Sequence, residues 1–172
     1  MKTLLSISFA YLLFLPLFGI SQTKQLDLGD KMPFFSLPNQ DGKTINIKDL
    51  VGSKELVIFF YPKEENILCK KEVCAFSDSI SKFNAEGALV IGISDNDVKK
   101  IKKFHDENKL KYDLLSDPDG AILKKLGIKE KLLSKRITYV VNISGTVVFK
   151  TYSFTDGKKH VAEALKFLRQ AE

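Results

Sequence analysis

This sequence has no tryptophan, and only two methionines, two histidines and two cysteines in its 172 residues. Each scarcity closes a route. His105, His160, Cys69 and Cys74 are too few and too scattered for a zinc centre of the usual ligand spacing, so no metal is expected. There is no glycine-rich phosphate loop, so neither a nucleotide nor another cofactor is expected. Repeats and low-complexity segments are absent. Charge is skewed to the positive side, with 27 Lys and Arg against 21 Asp and Glu and a formal charge of +6. That excess comes in lysine pairs such as Lys99-Lys100, Lys102-Lys103, Lys124-Lys125 and Lys158-Lys159. They fall on polar faces of predicted helices without interleaved aromatics, a solvated surface rather than a nucleic-acid footprint. The two histidines read as capping or surface residues, with His160 opening the last helix.

One long apolar run is present, from Leu4 to Ile20, broken by Ser6, Ser8 and Pro16. It follows Lys2 and precedes small residues at Gly19 and Ser21, the pattern of a secretory signal peptide over residues 1–21. The run is short for a membrane span. The expected arrangement is therefore a signal segment followed by one domain over residues 22–172, exported to a periplasmic location. Contact with a membrane is expected only through the signal segment, should it stay uncleaved.

The remainder alternates strands and helices. Leu56-Val57-Ile58-Phe59-Phe60-Tyr61 is a β-branched, apolar run closed by Pro62, a buried strand, and Ala88-Leu89-Val90-Ile91-Gly92-Ile93 is a second. Val73, Phe76, Ile80 and Phe83 recur at spacings of three and four, predicting one helix from about Cys69 to Phe83. Ser94-Asp95-Asn96-Asp97 supplies cap residues for a helix with Val98, Ile101 and Phe104 inward. Phe34–Leu37 and Thr44–Ile47 flank an Asp41-Gly42 turn, Tyr112–Leu115 is a third buried strand, and Ile137–Val141 and Thr146–Phe149 form a hairpin around Ser144-Gly145. The last helix carries Val161, Ala164, Leu165 and Leu168 on one face. Continuous apolar strands between amphipathic helices argue for an α/β sandwich with a sheet covered on both sides and partly parallel.

The cysteines carry the chemistry. Cys69 shares the apolar stripe, while Cys74 lies roughly 140° around the helix from it. A straight helix holds the two Cα atoms roughly 8–9 Å apart, whereas a disulfide wants less than about 7 Å. The pair can bond only if the helix end unwinds. A structural disulfide here would close a loop of roughly six residues, stabilising by about 2 kcal/mol before the helix distortion is subtracted. That favours a redox cycle over a staple. With Asn66 as N-cap, Cys69 sits in the first turn, where free N–H groups and the helix dipole favour thiolate. A buried, inert thiol is the competing reading of the same position.

Phe60-Tyr61-Pro62-Lys63, Cys69, and Cys74-Ala75-Phe76 resemble the peroxiredoxins of the bacterioferritin-comigratory (Q) type. Leu114-Leu115-Ser116-Asp117-Pro118-Asp119-Gly120 and Arg136-Ile137-Thr138-Tyr139-Val140-Val141 extend the resemblance over roughly residues 27–168. It implies a thioredoxin-like sandwich, a central mixed β-sheet flanked by helices, and a thiol-dependent peroxidase reducing hydrogen peroxide and organic hydroperoxides. Cys69 would be the peroxidatic nucleophile, oxidised to a sulfenic acid. Cys74 would resolve it as an intramolecular disulfide. Arg136 would lower the Cys69 pKa and polarise the peroxide, and Pro62 and Asn66 would shape the substrate loop. The implied partners are a peroxide and a thioredoxin-like reductant protein, with the chain a monomer or weak dimer.

The sequence departs from that family at Asn66-Ile67-Leu68, where Thr-Pro-Gly is usual, and at Lys70, where Thr is usual. Asn66 can offer amide donors in place of the hydroxyl. Two other functions share the fold. A thiol–disulfide exchange protein typically uses Cys-x-x-Cys, which is missing here, and a non-catalytic redoxin-fold binding module would keep Cys69 and Cys74 permanently oxidised.

Overall fold

The computed structural model describes residues 24–62, 67–128, 136–153 and 156–170, with residues 67–69 described as helix backbone. The signal segment expected at residues 1–21 and the cap expected at Asn66 lie outside these ranges.

Among the described residues seven strands and six helices follow in the order β1 (Ser36–Pro38), β2 (Thr44–Asn46), α1 (Ile47–Leu50), β3 (Glu55–Tyr61), α2 (Ile67–Asp78), α3 (Ile80–Ala85), β4 (Ala88–Ser94), α4 (Val98–Glu107), β5 (Asp113–Ser116), α5 (Ala121–Lys125), β6 (Ile137–Val141), β7 (Val147–Tyr152) and α6 (Gly157–Gln170). The main sheet runs β5-β4-β3-β6-β7. β3 pairs in parallel with β4, and β4 with β5, while β6 and β7 add antiparallel neighbours on the other side. This is the mixed sheet expected of a thioredoxin-like sandwich.

β3 sits in the middle of the sheet, so both its faces are covered and, after Glu55 at its start, its residues are buried and apolar or aromatic. Successive side chains alternate between two cores. Leu56, Ile58 and Phe60 join Met32, Phe35, Ile47 and Leu123 on the side of α1 and α5. Val57, Phe59 and Tyr61 join Val73, Phe76, Phe83, Ile101, Phe104 and Leu165 under α2, α3, α4 and α6. Gly92 makes this second layer fit. A Cβ there would lie 2.8 Å from both Leu114 Cδ2 and Phe59 Cζ. The Phe59 ring instead lies flat over β4 and stacks on Phe76 of α2, with centroids 4.2 Å apart and planes 12° from parallel. The helix bearing both cysteines is thereby seated on the central strand.

Two boundaries differ from the sequence reading. The helix expected to run through Phe83 breaks at Ser79, which takes φ −99° and ψ 4°, where an α-helix needs ψ near about −42°. The last helix starts one turn earlier than expected, because Asp156 Oδ1 accepts from the backbone N–H groups of Lys158 and Lys159. His160 therefore falls inside the helix, fully buried, and the reading of it as a capping or surface residue is corrected.

The cap of α4 is as expected: Asp97 Oδ1 accepts from the Lys100 N–H at 2.9 Å. Asp97→Ala should lower the unfolding free energy by about 1 kcal/mol, read as a lower urea midpoint at unchanged slope.

Candidate active site

The site is built where three elements meet: the end of β3, the first turns of α2 and the start of β6. Ile137 faces Phe60 across the antiparallel ladder, so Arg136 falls beside the end of β3, where the buried Pro62 follows. Above them α2 begins at Ile67, placing Cys69 in its first turn as expected. Cys69 and Cys74 belong to one unbroken helix, so the unwinding argument stands for the folded chain.

Arg136 is only 4% exposed, and its Nη1 donates to Glu72 Oε2 at 2.7 Å. Glu72 lies three residues beyond Cys69, a spacing that puts both positions on one face of α2. Its carboxyl is fully buried. Burial pushes its pKa up to about 7, and the charge and hydrogen bond of Arg136 pull the other way. Glu72 Oε1 accepts no hydrogen bond among the described residues and faces His160 Nδ1 at 3.5 Å. His160 also meets the Thr138 hydroxyl at 2.8 Å. Burial holds the His160 pKa below its ordinary value; the bond to the Ser153 carbonyl opposes this, and the Arg136 charge adds to it.

α6 closes this pocket from above. Its Gly157 lies so near α2 that a Cβ would sit 2.4 Å from Glu72 Cβ and 2.6 Å from Glu72 Cα. Farther along, the loop into β5 ties the second half of α2. The Tyr112 hydroxyl donates to the Val73 carbonyl at 2.8 Å, and the Lys111 N–H donates to Ser77 Oγ at 3.2 Å.

Cys74 is half-buried and carries a free thiol, 3.9 Å from Asn108 Oδ1. Burial raises its pKa, Asp78 adds to that and Lys70 opposes it. It is thus a protonated thiol at neutral pH, which suits a group that reacts second.

Of the residues singled out from sequence, Pro62 and Arg136 come together at the head of α2, with Cys69 on that helix and Cys74 one turn further along it. Asn66 lies outside the described residues. Sequence reasoning missed Glu72, His160 and Thr138. The available signal was Glu72 itself, an acidic residue on the stripe of Cys69, Val73 and Phe76.

Residues 28–150 match the AhpC/TSA family. The chain is 39% identical over 155 residues to the chloroplastic peroxiredoxin Q of Gentiana triflora, covering 88% of this chain and 71% of that protein. It superposes on the crystal structure of peroxidoxin BcpB from Mycobacterium tuberculosis with a TM-score of 0.80 at 32% identity, covering 86% of this chain and 99% of that one. The Xanthomonas campestris bacterioferritin comigratory protein, whose structures address its alkyl peroxide reduction activity, superposes with a TM-score of 0.72 at 25% identity, over 80% of this chain and 91% of that one.

One expectation is overturned by these relatives. The similar plant proteins are chloroplastic, not periplasmic. The compartment reached by a targeting segment is chosen by the receptor that reads it, which a basic start and an apolar run do not specify.

Proposed function

This chain belongs to the AhpC/TSA family, and from that premise we propose that Cys69 is the nucleophile through which it acts. It is a thiol-dependent peroxidase. The Cys69 thiolate attacks one peroxide oxygen; an S–O bond forms, the O–O bond breaks, and the departing oxygen takes a proton to leave as water or an alcohol. Cys69 is left as a sulfenic acid. The Cys74 sulfur then attacks the Cys69 sulfur, forming the disulfide, and its proton leaves with the hydroxide as water. A thioredoxin-like dithiol protein returns both thiols by exchange and is itself oxidised to a disulfide.

The observation that carries this reading is the buried Arg136–Glu72 pair, 2.7 Å apart and one helical turn beyond Cys69. A guanidinium locked there is a fixed positive charge at the head of α2, which lowers a thiol pKa and polarises an O–O bond. Pro62 and Asn66 line the approach to Cys69 in this reading, and residues 22–172 act as one catalytic unit, a monomer or weak dimer. Hydrogen peroxide and organic hydroperoxides are both substrates. The apolar Ile67-Leu68 pair beside the nucleophile suits the latter, as does the alkyl peroxide reduction of the Xanthomonas campestris relative.

The test is a trapping experiment. In a Cys74→Ser variant, one equivalent of peroxide should place a sulfenic acid on Cys69, detected by a dimedone-type adduct mapped to that residue. An unmodified Cys69 after peroxide has been consumed would sink the assignment.

A further inference from the structure

The peroxidase chemistry leaves one buried histidine unused. His160 is sealed at the contact between α2 and α6, beside Gly157. Its Nε2 faces the Ser153 carbonyl at 3.3 Å and its Nδ1 the Thr138 hydroxyl at 2.8 Å. A carbonyl only accepts, so Nε2 carries a hydrogen. Burial keeps the ring neutral, which leaves a lone pair on Nδ1. Glu72 Oε1, which accepts no hydrogen bond among the described residues, faces that same nitrogen at 3.5 Å. Two acceptors turned toward each other in a dry interior repel, and a buried polar atom without a partner is costly. One proton between them removes both faults.

We propose that His160 is a positioning residue: it shares a single proton with Glu72, and that proton sets how much of the Arg136 charge is left for Cys69. The proton sharing stands on the geometry alone, whereas its effect on Cys69 rests on the peroxidase reading. With the proton present, held on Oε1 and donated to Nδ1, Glu72, His160 and Arg136 together carry one positive charge. When it leaves, the Glu72 carboxylate neutralises the guanidinium through the 2.7 Å bond. Peroxide attack then loses its electrostatic help, although the thiolate is still present.

Other charged and titratable groups face this cluster from each neighbouring element. Lys159 and Glu163 of α6 act on His160, as does Arg136 at the start of β6. Glu163 is itself tied to the Thr151 hydroxyl of β7. Tyr112, ahead of β5, feels both Glu72 and Cys74. Tyr112 ionises only at strongly alkaline pH. The shared proton is therefore the titration of this cluster nearest neutrality, where Glu72 loses its proton at about 7.

Infrared and nitrogen NMR titrations of the whole reduced protein test this. The wild type should show a protonated carboxylic-acid band that titrates near neutral pH and is missing in Glu72→Gln. His160→Leu removes the acceptor, so the band should titrate about tenfold more readily, one pH unit lower. His160→Gln restores a carbonyl acceptor and should move the titration back. In steady-state kinetics, wild-type kcat/KM for peroxide should fall on the alkaline side in step with that band. In Glu72→Gln that limb should be flat, with the change in the peroxide-reaction rate rather than in KM for the reductant. Should neither His160 variant fold, the wild-type imidazole decides: a ring protonated at Nδ1 alone, or a fully charged one with no carboxylic-acid band, overturns the proposal. A band whose midpoint ignores His160→Leu also overturns it. A wild type with the band but an alkaline limb unrelated to it overturns the link to Cys69. A wild type without peroxidase activity refutes the function instead, while the spectra still decide the proton.

Discussion

Glu72→Leu is expected to lower the unfolding free energy by about 3–5 kcal/mol, the range for removing one partner of a buried charge pair. The loss arises because Arg136 is 4% exposed and donates to this carboxylate at 2.7 Å. Peroxide turnover should fall by about 10²-fold or more, since a displaced positioning group costs that much even at about 1 Å. Urea unfolding and peroxide consumption with a dithiol reductant read the two effects separately. The pH dependence gives a third signature. Burial raises the folded Glu72 carboxyl from its ordinary 4.5 to about 7. A group raised in this way contributes stability below its ordinary value and loses it as pH climbs through the folded value. Wild-type stability should therefore carry a downward component between those two values, which Glu72→Leu removes. His160 acts in the opposite sense. Its folded pKa lies below 6.5, so its contribution is present above that value and is lost as pH falls. Removing Glu72 should leave this rising component exposed. A variant with wild-type stability and activity would mean that the Arg136–Glu72 pair neither holds the fold nor serves the thiol.

Gly157→Ala is the second large effect. One methyl group placed 2.4 Å from Glu72 Cβ and 2.6 Å from its Cα meets the root of a side chain and the backbone that holds it rather than a flexible side-chain end. The start of α6 has to move away from α2. Overpacking of this kind costs about 1–3 kcal/mol, and the upper part of that range is expected because Cα and Cβ of Glu72 are both fixed by the α2 backbone. Alanine is otherwise the better helix former, so a simple propensity argument predicts the opposite sign. The shift also draws His160 from the Thr138 hydroxyl and from Glu72. Turnover should fall with stability, and a urea midpoint at or above the wild-type value would contradict the close-contact reading.

Much of the architecture was readable because local pattern and global burial agree. β3 from Leu56 to Tyr61 and β4 from Ala88 to Ile93 are runs of apolar and aromatic residues covered on both faces. The turn at Ser144-Gly145 joins β6 to β7, with Gly145 at φ 77°. Asp97 caps α4 as its position suggests. The cysteine helix was also legible, down to its unbroken passage from Cys69 to Cys74. The break at Ser79 was not, because the apolar spacing continues through it and only tertiary packing onto the sheet ends the first segment there. The buried cluster was hidden for another reason. Glu72 and Arg136 stand 64 residues apart in sequence, and His160 enters from a third element still farther on. Charged side chains in an amphipathic pattern read as surface unless the partner that buries them is known. Arg136 emerged through a family motif, while Glu72 and His160 had no such marker.

The ties from Tyr112 to Val73 and from Lys111 to Ser77 fix the second half of the cysteine helix. The trailing half is moored to a loop and rests on Phe59 of a strand hydrogen-bonded on both flanks. Sub-global opening follows the weakest cooperative unit. If Cys69 and Cys74 react as proposed, an opening confined to the first turns of α2 leaves the sheet beneath intact, and the distortion stays far from global denaturation.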